Sequence, residues 1–309
     1  MDIQSKYAAA YIAKPEFMTE ITQELGNADI IQDLLLSEYS HRNVCFALDT
    51  WYEPTIRRFQ SISQAVTLLR RAGKFWYLHP LSHIRRSRLI EAQLRQCPEL
   101  SRTFPLTTAI PDIGGFCLLD QNTLLYSTKR AKRWPDGRCL FIEDKINPPN
   151  RAYLKLWEAL VILNKYPSSN ERVLDLGAAP GGWTYVMGSF GAHVTAVDKA
   201  PLAPRILASK NIDYRQQSAF AINPATVEQV YDWVLSDVAC YPQRAYELIM
   251  RWIRSGKARQ LIVTIKLQGQ TDMNMIALLK SIPNSALMNL YHNKHEATFF
   301  YSATELCHD

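Results

Sequence analysis

The second half of the chain predicts an α/β fold, a mostly parallel sheet with helices on both faces, preceded by a mixed α+β region. Two observations carry that reading. From residue 151 onward, short apolar runs alternate with amphipathic segments, the pattern of strands joined by crossover helices. Within the alternation, Val173-Leu174-Asp175-Leu176-Gly177-Ala178-Ala179-Pro180-Gly181-Gly182-Trp183-Thr184 passes from a buried strand through a glycine-rich loop into a helix N-terminus. In open α/β sheets that junction is where a nucleotide-like ligand sits.

The elements follow in order. In the region to residue 145, Asn43-Val44-Cys45-Phe46-Ala47-Leu48-Asp49 reads as a strand and 62–72 as an amphipathic helix. A further helix runs from Ile84 to Cys97. Gly115–Leu119 and Thr123–Ser127 flank Asp120-Gln121-Asn122, a hairpin signal. Pro135-Asp136-Gly137 then turns the chain into a strand at Cys139-Leu140-Phe141-Ile142. Asp144-Lys145-Ile146-Asn147-Pro148-Pro149 reads as an extended linker, because a residue before proline avoids the helical region. A second domain, 146–309, follows. Its strands are expected at 173–176, 194–198, 212–215, 233–237, 261–266 and 297–302, and its helices at 151–165, 183–190, 202–209, 242–254 and 271–281. A terminal antiparallel hairpin pairs 286–291 with 297–302 through His292-Asn293-Lys294-His295.

Spacing narrows what the glycine loop holds. A phosphate loop of the GxxxxGK[ST] type needs Lys after its last glycine, where Trp183 stands, and GxGxxG needs glycine at Ala179. The loop suits a compact zwitterion such as the amino-acid end of S-adenosylmethionine. Gly177, Ala179, Pro180, Gly181, Gly182 and Trp183 are the expected contacts, because free N–H groups at a helix start favour a carboxylate. Asp175 ends the first strand. Asp198 ends His193-Val194-Thr195-Ala196-Val197-Asp198, where an acid would hold ribose hydroxyls.

The DLGAAPGGWT loop resembles the FtsJ-like family of RNA ribose 2′-O-methyltransferases, and the resemblance runs from about Asn150 to the C-terminus. The layout is most similar to the bacterial members acting on 23S ribosomal RNA, which carry a sizeable region before the catalytic domain. Tyr11-Ile12-Ala13-Lys14-Pro15-Glu16-Phe17, an apolar segment running into a helix, adds a faint N-terminal likeness. The resemblance implies a Rossmann-like S-adenosylmethionine-dependent methyltransferase fold and a Lys-Asp-Lys-Glu tetrad. The matching positions are Lys155 in the helix before the cofactor strand, Asp237 at a strand tip, Lys266 in an aliphatic strand, and Glu296 at the start of a late strand.

By that analogy Lys266 takes the proton of the 2′-hydroxyl, Asp237 orients it, Lys155 depresses its pKa, and Glu296 positions the nucleoside or Lys155. Each residue alone has an ordinary reading: a solvated helix lysine, a turn cap, an exposed hairpin acid. A lysine inside Leu261-Ile262-Val263-Thr264-Ile265-Lys266 is harder to dismiss, since an unpaired charge there is costly. One position departs from the usual methyltransferase pattern. Ser218 stands where an acid commonly meets the adenine, so a hydroxyl or backbone group is expected there instead. Base methylation fits less well. Asp237-Val238-Ala239-Cys240 lacks the Pro-Pro-aromatic grip on a flipped base, and Cys240 reads as a small buried residue.

Composition bounds the rest. No run of about 18 apolar residues occurs, so no membrane span is expected, and Met1–Lys6 lacks the apolar core of a signal peptide. Six cysteines without CxxC spacing argue for free thiols in the cytoplasm and against a metal site. A net charge of +6 is compatible with RNA binding. Basic clusters occur at Arg57-Arg58, at Arg70-Arg71 with Lys74, and at Arg85-Arg86 with Arg88. Another lies at Lys129, Arg130, Lys132, Arg133 and Trp134, the group expected to bind RNA. The partner is then RNA, with rRNA favoured. A tRNA or cap substrate is equally compatible with the tetrad, which defines the chemistry and not the RNA. A non-catalytic assembly factor would call for a broken loop or tetrad, and neither is broken.

Overall fold

Aliphatic runs bounded by turn residues become the strands of three sheets in the computed structural model, which describes residues 6–41, 43–95, 102–107 and 109–304. The chain forms two units, Met1–Ile142 and Glu143–Asp309, where the linker had predicted a break after 145. No helix among the described residues is long and apolar enough to cross a membrane.

The first unit runs β1 (Ala9–Ala13), α1 (Met18–Leu25), β2 (Asp29–Ile31), β3 (Leu34–Ser37), β4 (Ala47–Tyr52), β5 (Thr55–Arg58), α2 (Ile62–Ala72), β6 (Phe75–Leu78), α3 (Ile84–Glu91), β7 (Ile113–Asp120), β8 (Thr123–Ser127) and β9 (Lys129–Arg130). One sheet has the order β2-β3-β1-β4-β9 and the other β5-β8-β7-β6. Strand alternation sorts the core into two layers. Ala10, Ile12, Leu36 and Trp51 of the first sheet pack on Tyr77, Cys117 and Leu125 of the second. The opposite face of the second sheet, with Trp76, Phe116, Leu118 and Leu124, packs on Ala65, Val66 and Leu69 of α2 and Ile90 of α3.

Three sequence expectations shift here. The strand expected from 43 begins at Ala47, because the Cys45 and Phe46 amides both donate to the Glu24 carboxylate at 3.0 Å and so leave the ladder. No strand forms at 139–142. A 3-10 turn at Pro135–Gly137 places Asp136 at φ 50° with its carboxylate on buried His79, and only a single bridge joins Phe141 to Arg102. The helix expected to reach Cys97 ends at Glu91 and a turn follows at 92–93; Gln96 and Cys97 lie outside the described residues.

The second unit contains α4 (Tyr153–Ile162), β10 (Arg172–Leu176), α5 (Gly182–Ser189), β11 (His193–Asp198), α6 (Pro204–Leu207), β12 (Ile212–Gln216), β13 (Tyr231–Ser236), α7 (Pro242–Ser255), β14 (Ala258–Lys266), α8 (Met273–Lys280), β15 (Ser285–Met288) and β16 (Glu296–Ser302). Its sheet has the order β12-β11-β10-β13-β14-β16-β15, with β10 to β14 parallel and β16 antiparallel to both β14 and β15. Chain direction across the sheet reverses between β10 and β13, which opens a crevice at their C-terminal ends. The terminal hairpin pairs as expected, but β15 stops at Met288. Asn289 Nδ2 donates to Glu296 O at 2.8 Å, and the Tyr291 and His292 amides donate to Glu158, so 289–295 all serves as the connection.

Helix α7 shows why the layers hold. Ala245, Leu248, Ile249 and Trp252 recur at the spacing that lines one helical face, and all four are buried. Trp252, fully buried, meets Tyr231 edge-on at 6.1 Å. Trp252→Ala is expected to destabilise the second unit by about 3–5 kcal/mol, read as a lowered thermal midpoint in calorimetry. A midpoint unchanged within a degree or two would show that this helix face contributes little.

Candidate active site

The site grows from the C-terminal ends of adjacent parallel strands. β10 delivers the glycine loop, β11 ends in Asp198, β13 is followed directly by Asp237, and β14 ends in Lys266. Lys266 lies opposite Glu296 in the β14–β16 ladder, so pairing register alone brings those two side chains to one spot.

The loop is held from beneath. The Gly177 and Ala178 amides both donate to Val197 O, at 2.8 and 3.2 Å. Asp198 accepts from Ala179 N at 3.0 Å and from Ala200 N at 2.9 Å, one amide per carboxylate oxygen, which leaves further lone pairs free for a ligand. Glycine is required for reasons the spacing did not show. Gly177 has φ +83°, and a Cβ there would sit 2.9 Å from Val238 Cβ; a Cβ on Gly182 would fall 2.2 Å from Asn150 Oδ1. The chain, rather than a ligand, crowds these positions.

Two of the expected cofactor contacts, Asp175 and Trp183, have internal partners. Asp175 is 1% exposed and accepts from Thr184 Oγ1 at 2.6 Å. Burial, opposed by that hydrogen bond, pushes its carboxyl up to about 7. Trp183 is buried and its indole N–H donates to Ala152 O at 2.9 Å, tying α5 to the start of α4. Gly181 and Gly182 are buried too. The accessible parts of the crevice are the Gly177, Ala179 and Pro180 edge, Asp198, half-buried Ser218 after β12, and Asp237. An acid at the β11 tip beside a loop with room at Ala179–Pro180 fits a nucleoside carrying an amino-acid tail.

The tetrad residues form a closed ring of alternating charge. Lys155 Nζ lies 2.6 Å from Asp237 Oδ2 and 3.0 Å from Glu296 Oε1, while Lys266 Nζ lies 2.7 Å from Asp237 Oδ1 and 2.5 Å from Glu296 Oε2. Each carboxylate gives one oxygen to each lysine. The side chains are between 8% and 21% exposed, so removing any single member would strand charge in a poorly solvated place, at a cost of about 3–5 kcal/mol. Burial pushes Asp237 up, but the two ammonium groups outweigh it and hold the carboxyl below its ordinary range. For Lys266 burial pulls down, and Asp237 with Glu296 outweigh it, so its pKa is raised. That reverses the expectation of a lysine depressed by Lys155: the carboxylates standing between the two amines dominate.

A residue the sequence reading passed over sets this ring. Glu158, one helical turn beyond Lys155, is 3% exposed and accepts from Tyr291 N at 2.8 Å and His292 N at 2.9 Å. It pins α4 to the connection that leads into Glu296. A charge in the otherwise apolar run Leu156–Ile162 was the signal available.

The cluster expected to bind RNA is largely spoken for. Arg130 is buried against Asp49 at 3.0 Å, which burial pushes up to about 6 against the opposing guanidinium, and it also donates to Ile113 O and Trp134 O. Trp134 is 6% exposed. Lys129 pairs with exposed Glu53 at 2.5 Å, and the Lys132 amide donates to Asp49. Of the five, Lys129 and Arg133 are exposed.

A parallel sheet in this strand order, with an acid-tipped second strand and a glycine loop at the switch point, is the fold of the α/β methyltransferases. Residues 148–291 match the family model described as FtsJ-like methyltransferase. Among curated proteins, "Ribosomal RNA large subunit methyltransferase M" of Halorhodospira halophila is 35% identical over 175 residues, covering 54% of this chain and 50% of that protein. The protein of the same name from Xanthomonas campestris pv. campestris is 33% identical over 205 residues, covering 62% and 55%. The chain thus spans about half the length of the curated relatives it matches. Among solved structures, Aeropyrum pernix fibrillarin aligns at a TM-score of 0.35 and 17% identity over 63% of this chain and 84% of that one, too distant to bear on function.

Two outcomes test this geometry. Asp175 holds its proton more tightly folded than at its ordinary 3.8, so its contribution to stability is present in acid and is lost as pH rises from about 4 to about 7. Asp175→Asn, which keeps an acceptor for Thr184, should therefore gain stability over the wild type progressively across that window in pH-dependent denaturant titrations. A constant difference would mean that Asp175 titrates normally. Glu158→Ala orphans two amides and should cost about 2–4 kcal/mol, measured by the same titrations; a change under about 0.5 kcal/mol would remove it from the support of the ring.

Proposed function

We propose that the protein transfers a methyl group from S-adenosylmethionine to a ribose 2′-hydroxyl of RNA, with ribosomal RNA as the substrate class. The observation that carries the proposal is the charge ring: two amines and two carboxylates converge where the β13, β14 and β16 ends meet. The family match and the names of the curated relatives support the reaction class and the RNA.

Bound at the β10–β11 ends, S-adenosylmethionine would supply an electrophilic methyl on a positively charged sulfur. Asp198 would hold its ribose hydroxyls and the Gly177–Pro180 edge its amino-acid tail, with Ser218 beside the adenine. Lys266 is the residue suited to take the 2′-hydroxyl proton, since its side chain is the more exposed of the two lysines, at 21% against 10%. Alone in the ring it is firmly protonated, and it becomes easier to deprotonate when another cation stands close. Lys155, bonded to the same two carboxylates, holds both in place. Asp237 and Glu296 aim Lys266 and then stabilise the ammonium it becomes. Once Lys266 has released its own proton to solvent, its amine would accept the hydroxyl proton while the hydroxyl oxygen takes the methyl group, the donor leaving as its thioether.

Lys266→Arg keeps the ring's charge but offers a group that does not deprotonate. It should lower methyl transfer by about 10²–10⁴-fold while leaving cofactor affinity within a few-fold, assayed with tritiated donor and by calorimetry. Lys266→Ala should lose as much. Transfer near the wild-type rate in either variant would refute the assigned base. Because Lys266 is raised, the wild-type rate should still be climbing above neutral pH.

A further inference from the structure

We infer that the outward face of α2 and α3 in the first unit is a docking surface for the phosphate backbone of RNA. The inference rests on the RNA methyltransferase reading for its partner, and assigns a substrate surface that the Lys129–Trp134 cluster does not provide. Residues 55–95 hold nine Lys and Arg against one acid, Glu91, a net charge of +8. The whole chain carries +6, so everything outside this segment is net acidic. Eight of the nine are Arg, whose planar fork matches paired phosphate oxygens.

The fold turns this charge to solvent. α2 buries Ala65, Val66 and Leu69 and α3 buries Ser87 and Ile90, which leaves Arg70, Arg71, Arg85 and Arg88 exposed. Two foci form. In the first, Arg70 donates to Gln93 O at 2.5 Å, while Lys74 and Arg95 both stand over the Phe75 ring at 5.3 and 5.0 Å. That gathers cations from the end of α2, the turn before β6 and the segment after α3. In the second, Arg86 lies over the Phe59 ring at 5.2 Å, near exposed Arg58 at the end of β5. Acids are sparse: Glu91 reaches Arg88 only at 3.9 Å, and Asp120 lies near Arg58. Cations left without counter-charges draw a polyanion, and each phosphate they neutralise releases condensed counterions.

The test is binding of the full chain to a labelled RNA stem–loop, without methyl donor, by fluorescence anisotropy at several salt concentrations. Arg70→Gln, Arg71→Gln, Lys74→Gln and Arg95→Gln combined should raise Kd at least about tenfold and lower the log–log salt slope by about 3. Lys129→Gln with Arg133→Gln should change Kd less than about twofold, as cations outside the surface. Arg85→Gln with Arg88→Gln alters only exposed α3 side chains, keeps the fold, and should lower the slope by about 1.5. An unchanged slope in that pair, an equal loss in the Lys129 and Arg133 variant, or wild-type binding to phosphatidylserine vesicles in preference to RNA would overturn the assignment. The two readings separate cleanly. Normal RNA affinity in the α2–α3 variants with methyl transfer intact sinks the surface alone. RNA affinity lost as expected, with no methyl transfer by the wild type, sinks the enzyme reading alone.

Discussion

The second unit depends on one constraint: two lysines and two carboxylates must share a small, poorly solvated space with no charge left over. Alternation satisfies it. Each carboxylate offers one oxygen to each amine, and the net charge of the ring is zero. The four residues come from α4, the end of β13, the end of β14 and the start of β16, so the ring also ties the helix before the sheet to three adjacent strands on one side of the switch point. A neutral ring of this kind favours protonated Lys266.

Buried charge is handled in the same way in the first unit. His79, 1% exposed, lies between Asp136 at 3.0 Å and Asp33 at 3.2 Å. Burial pulls its pKa down, but the two carboxylates outweigh it and raise it to about 9. Arg130 and Asp49 form a second buried pair, with the Tyr77 ring 4.8 Å from the guanidinium. Cations consumed by such networks are not available to a polyanion, whereas the arginines of α2 and α3 rest on helices whose apolar sides already satisfy the core. Count of basic residues therefore says little until their partners are known.

Much of the second unit was legible because its signals are local. Every strand expected from 173 to 302 forms, since aliphatic runs bounded by turns have few other ways to be buried. The first unit was harder. Its β4 starts late because Glu24, more than twenty residues away in the chain, takes two amides, and 139–142 stays out of a sheet because Asp136 is drawn inward to His79. Such long-range hydrogen bonds leave no periodicity behind.

The sequence alone determined the glycine loop at the switch point and the acid at the tip of β11, because each depends on residue type at a short spacing, and it named the four residues that meet in the charge ring. Only the tertiary structure decided that Asp175 and Trp183 support the loop from within, that Glu158 anchors α4, and that Lys266 is held protonated. Those outcomes depend on which groups meet across distant segments and on how much water is left between them, and burial and pairing are properties of the assembled fold.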